Sequence, residues 1–191
     1  MQRGADDKQA IAQQVRIEQI IVGSLAGGVL VFLAIVFLLN SMGKANPAQA
    51  ARAPVLSYYI GPPLGVVTLI LSFVVPRVVT TQARRGIAQG KWDPSIHQFG
   101  PPGMGTPTAP PSDAVKLANL HLTTSIIGGA LVEGGAFMMG IAYFIEHQTW
   151  VLLAAIALVM AILIRFPTRE GVEQWIDNQL ELIEQDKLLS G

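Results

Sequence analysis

The chain has 191 residues, of which 51% are hydrophobic and only 14% charged, against about 25% charged in an ordinary soluble domain. Thirteen basic and thirteen acidic residues cancel, which argues against nucleic acid as a partner. The absence of cysteine excludes disulfides, thiolate metal sites and cysteine nucleophiles. The composition points to an all-α membrane protein.

In chain order, residues 1–18 form a polar N-terminal segment. The first apolar run, Gln19 to Ser41, is long enough to cross a bilayer core, which requires about 20 residues. The second runs from about Val55 to Val79. Pro62 and Pro63 suit a helix's first turn, so its helix is expected to begin near Pro62, with Tyr58 and Tyr59 at the interface. Pro76 is expected to bend or end it. Together these runs make a first hairpin, 19–79.

Residues 80–116 form a linker whose stretch 93–112 is rich in Pro and Gly, a composition that cannot bury a core. A third run, Leu120 to Ile145, and a fourth, Trp150 to Phe166, make a second hairpin, 117–167. The expected fold is thus four transmembrane helices, arranged as two tandem hairpins. "GGVLVFLAIVFLL" from Gly27 sets beside "GGAFMMGIAYFIE" from Gly134, which suggests that the hairpin is duplicated, with Ala26 in the place of Glu133. Residues 168–191 read as an amphipathic, acidic C-terminal helix. Thr168 is its expected N-cap, and Val172, Trp175, Ile176, Leu180 and Ile183 form its apolar face. Its polar face is acidic, unlike that of helices that bind anionic lipid, so packing on the protein's own basic segment around Arg84 and Arg85, or on a partner helix, is expected.

Basic residues set the orientation. Eleven of the thirteen lie in the N-terminal segment, between Arg77 and Lys116, or from Arg165 to the C-terminal segment; only Lys44 and Arg52 lie on the other side. Both termini are therefore expected in the cytoplasm, with the protein in the cell membrane (the inner membrane of a Gram-negative source). Ala48-Gln49-Ala50 is similar to a signal-peptidase site, but the preceding apolar run exceeds a signal peptide's length.

Within the third run stands one acid, Glu133. Wound as a helix, the segment puts Ser125, Gly129, Glu133, Ala136 and Gly140 on one side. Small residues permit close helix approach in membranes. The first run offers Gly23 and Gly27 as a GxxxG pair, and Ser24 with Gly28 as a second pair. The expected helix-packing positions are therefore Gly23, Gly27, Gly28, Gly129 and Gly140. Inserting an acid at mid-membrane is unfavourable by about 2.5–3.5 kcal/mol. Its carboxyl group is expected to face a helix and to hydrogen-bond Thr68 or Ser24. Intramembrane ionisable groups are functional-site hypotheses by default.

"GGALVEGGAFMMGIAYFI", residues 128–145, resembles the carboxylate-bearing helix of the proteolipid ring subunits of rotary ATPases. The resemblance implies that Glu133 matches an ion-binding carboxylate and Gly140 the glycine that follows it, with the glycines of the first run as the partner helix. In those rings the acid lies on the second helix of its hairpin; here it lies on the first.

His97, His121 and His147 are dispersed and expected at solvent or interface positions, as is Glu146. No P-loop, nucleophile elbow or metal cluster is present, so neither an enzyme nor a cofactor is expected. Two functions remain: a structural or interaction subunit of an oligomeric membrane assembly, with the lipid bilayer and copies of itself or other subunits as partners; or proton or cation binding and translocation through Glu133.

Overall fold

The structure, a computed structural model, describes residues 4–42, 55–91 and 112–190; Lys44, Ala48 to Ala50, Arg52, His97 and nearly all of the Pro/Gly-rich stretch fall outside them. Five helices account for almost all of the described residues. They are α1 (Ala5–Met42), α2 (Gly61–Ala88), α3 (Asp113–Glu146), α4 (Thr149–Ile164) and α5 (Arg169–Ser190). A π-helical turn, Leu56–Ile60, leads into α2. Helices α1, α2 and α3 are each long and apolar enough to cross a membrane. Helix α4 is almost wholly apolar, but its 16 residues fall short of a full bilayer core.

The chain divides into two compact units. One comprises 21–74 and 127–166. Its core is made by α1, α3 and α4: Val22, Ala26, Val29, Leu33 and Val36 from the first, Val132, Ala136, Met139 and Tyr143 from the second, and Val151, Ala155, Val159 and Ile162 from the third. These residues recur at three- and four-residue steps, so each helix buries one stripe. Helix α2 docks through missing side chains. A Cβ added at Gly65 would meet Met139, and one added at Gly135 would meet the Thr68 hydroxyl. Most of its large apolar residues, including Val66, Val67, Ile70, Phe73 and Val74, stay exposed.

The prolines of α2 separate as their chemistry requires. Pro62 and Pro63 open α2, close to the expected start, but helical backbone already precedes them as the π-helical turn, in which the Gly61 N–H donates to Leu56 O. Pro76, by contrast, neither ends the helix nor closes the span, because α2 continues to Ala88. A mid-helix proline frees the carbonyl four residues earlier, here that of Ser72. Arg165 Nη1 reaches that oxygen at 3.5 Å and the Ser72 hydroxyl at 3.1 Å, while the guanidinium sits 3.7 Å from the Phe73 ring centroid. The cation thus replaces the donor that Pro76 cannot supply.

Glu146 is not the solvated residue expected. Its two oxygens accept the N–H groups of Leu56 and Ser57, each at 2.7 Å. It therefore caps the π-helical turn that starts the second hydrophobic segment. The next residue, His147, takes a left-handed conformation, φ 55°, and donates its N–H to Tyr143 O. That conformation closes α3 and turns the chain into α4.

The other unit comprises 4–20, 75–91, 112–126 and 167–190. Its core joins Ile11 and Val15 of α1, Ile87 of α2, Leu117 and Leu120 of α3, and Val172, Ile176 and Ile183 of α5, with Trp175 and Leu180 packed against them. The apolar face of α5 is the one that its spacing predicts. Thr168 caps it, accepting the Gly171 N–H at 3.2 Å. Arg84 pairs with Asp186 at 3.1 Å, so the acidic helix meets the basic segment within its own chain.

Replacing Glu146 with Leu should destabilise the protein by about 2–3 kcal/mol, since two charge-assisted bonds are lost and two amides are left without an acceptor. Thermal unfolding in detergent measures this. Glu146→Gln, which keeps one good acceptor, should lose a clearly smaller amount.

Candidate functional site

The site is built on the contact between α1 and α3 in the apolar unit. Small residues on α3 receive large ones from α1. A Cβ at Gly129 would stand 3.2 Å from a Leu25 methyl, and one at Gly140 would stand 2.6 Å from Phe32 and 2.9 Å from Leu33. Next to Gly140, Phe32 and Phe137 pack with centroids 5.0 Å apart at 58°. Asn40 then donates to the Tyr143 carbonyl at 3.2 Å. Contacts therefore advance together along both helices, from Leu25 with Gly129 to Asn40 with Tyr143. The pair is parallel.

Glu133 lies in the middle of this seam. One carboxylate oxygen stands 3.8 Å from where a Cβ of Gly28 would be, so the group rests on bare backbone. The side chain is half-buried, and the adjoining Gly28, Ala130 and Gly134 are exposed. The carboxyl group thus sits at the rim of the seam.

The expected bonds to Thr68 or Ser24 are absent. The Thr68 hydroxyl donates to Gly65 O in its own helix at 3.1 Å, and its oxygen packs at Gly135 instead. The physical reason is rotational: Gly135 is two positions from Glu133, which places it on a different side of α3. Among the described residues, neither a hydrogen-bond donor nor a cation pairs with Glu133. Chemically, then, the site offers an acid whose hydrogen-bonding capacity is open toward the flank of the helix pair.

Of the glycines singled out from the sequence, Gly28, Gly129 and Gly140 are brought into the seam with Glu133. Gly23 and Gly27 are not. A Cβ at either meets nothing within 4 Å. The buried stripe of α1 is Val22, Ala26, Val29, Leu33 and Val36, and the Gly23–Gly27 ridge runs beside it, away from α3. The α1 helix contributes knobs to this contact, and α3 contributes the holes.

Sequence reasoning missed a second acid. Glu18, just before the apolar run, is buried, and its Oε2 lies 3.1 Å from His121 Nδ1. His121 is half-buried, its ring edge-on to that of Trp175 with centroids 4.8 Å apart. The only available signal was that Glu18 continues the helical stripe of Ile11 and Val15. No group of three His, Cys, Asp or Glu residues suited to a metal occurs among the described residues.

Comparison with family models, with curated proteins and with solved structures returns no match to this chain.

The seam makes opposite demands on its glycines. Gly140→Ala should destabilise the protein by about 1–3 kcal/mol, because Phe32 and Leu33 must both move. Gly27→Ala should leave stability unchanged or raise it by up to about 1 kcal/mol, because the added methyl meets open space and alanine favours the helix. Unfolding midpoints in one detergent compare the two directly.

Proposed function

We propose that this protein is a multi-pass integral membrane protein that serves as an interaction subunit of an oligomeric assembly, with Glu133 as its contact group. Four spans, formed by α1, α2, α3 and α4 with its flanking residues, would put both termini and α5 in the cytoplasm. The distribution of Lys and Arg supports this orientation. One observation carries the reading: the Glu133 carboxyl group lies at the rim of the α1/α3 seam with its hydrogen-bonding capacity unmet.

Among the described residues, Glu133 bonds nothing within its own chain. An acid at membrane depth without a partner is costly, and a donor on a neighbouring helix relieves that cost. Gly28 leaves room for the approach. The exposed flank around Ala130 and Gly134 presents little side-chain bulk to an incoming helix. The partner is another copy of this chain or a different membrane subunit.

A second reading has support from the same placement. A carboxyl group open to one flank, among glycines, can exchange a proton or hold a cation. The local resemblance to the ring subunits of rotary ATPases favours this chemistry for residues 128–145.

Two substitutions separate the readings. Under the interaction reading, Glu133→Leu should weaken assembly by about 1–2 kcal/mol, up to roughly a thirtyfold change in subunit affinity, while Glu133→Gln retains it. Native mass spectrometry from nanodiscs, over a range of protein-to-lipid ratios, reads this. If Glu133→Leu assembles like the parent, the interaction reading fails. If Glu133→Gln assembles normally but loses proton or sodium flux, or cation-protected labelling by a carbodiimide, ion handling replaces it.

A further inference from the structure

The unit containing α5 holds a buried polar seam that takes no part in the Glu133 site. Glu18 is its centre; its side chain is 2% exposed. One oxygen is engaged by His121, and the other, Oε1, is buried with no hydrogen-bond partner. One turn earlier on α1, Gln14 donates its amide to Asn119 Oδ1, which leaves Gln14 Oε1 buried and without a partner. Side chains four apart on a helix face are neighbours, about 5–6 Å between Cβ atoms. On α5, Trp175 touches His121, and one turn beyond it stands Gln179. Gln179 shares the stripe of Ile176 and Ile183, and its Oε1 is likewise buried and unpartnered.

Three donors of this unit are committed elsewhere. Gln19 Nε2 donates to Pro167 O. The hydroxyls of Thr123 and Thr124 donate to the carbonyls of Asn119 and Leu120 in their own helix. Three buried acceptor oxygens, one of them on a carboxylate, therefore have no positive partner among these groups. Interiors rarely leave such atoms unmet, and an unmet one calls for a bound species.

We propose that Gln14, Glu18 and Gln179 form a monovalent cation site, with Glu18 Oε1 and the two amide oxygens as its ligands. Water can offer only two O–H donors per molecule, whereas a single cation can take all three acceptor oxygens at once. The ligands are all hard oxygens with a single formal negative charge. They suit Na⁺ or K⁺; a divalent ion is ordinarily held by more carboxylates. Bound there, the ion ties α5 to α1, and through His121 to α3.

The test is thermal unfolding of the full-length protein in detergent, with NaCl or KCl titrated against choline chloride at constant ionic strength. The parent should show a saturable rise in midpoint with one of the two cations, beyond the choline reference. Gln179→Met keeps the volume and the charge but removes one ligand. It should raise the half-saturating concentration about tenfold or more. Glu18→Gln should abolish the cation response. If that variant does not fold, Gln179→Met decides. Equal midpoints in all three salts would mean that the oxygens hold water and that the proposal is wrong. An unchanged half-saturating concentration in Gln179→Met would overturn it equally.

Discussion

The parallel contact between α1 and α3 is the constraint on which most of the structure depends. Where both helices are apolar, burial gives little direction to the pairing, because lipid is as good a neighbour as leucine. Shape then decides. Leu25, Phe32 and Leu33 fit where α3 has Gly129 and Gly140, and a methyl group at either glycine would disturb the fit. Register follows from shape, and register places Glu133 against Gly28. Where the same helices are polar, hydrogen bonds hold them instead: Gln14 with Asn119 and Glu18 with His121, partners 105 and 103 residues apart in sequence.

Three ionisable side chains illustrate how differently this fold treats charge. Glu146 is fully used, since two backbone amides occupy its oxygens. Arg165 is used to repair α2, supplying the donor that Pro76 lacks and resting on the Phe73 ring. Glu133 is used for neither purpose. That contrast is why Glu133 carries the functional reading. Glu146 and Arg165 have specific partners for their roles, whereas among the described residues Glu133 has none and sits at the rim of a seam.

Much of the fold was legible in the sequence because it rests on period. The apolar runs, the stripe on α5, the Thr168 cap, and the common face of Gly129, Glu133 and Gly140 are all local patterns. The rest depends on partners far away in sequence. Nothing near Glu146 indicates that Leu56 and Ser57 supply its donors. Nothing near Pro76 indicates Arg165. Glu18 looked like part of a polar tail because its environment comes from His121 and Trp175. The GxxxG of Gly23 and Gly27 shows where a helix can be approached, and not which helix approaches it; within this chain the space beside it is open.

The most direct test is a disulfide across the seam, made possible by a chain without cysteine of its own. Leu25→Cys combined with Gly129→Cys places two thiols where a leucine methyl now stands 3.2 Å from the Cβ position of residue 129. Oxidation in membranes should give a high yield of a link within single chains, whereas Gly27→Cys with Gly129→Cys should give little. An equal yield from the two pairs, or links formed only between chains, would contradict the parallel α1/α3 seam and with it the placement of Glu133.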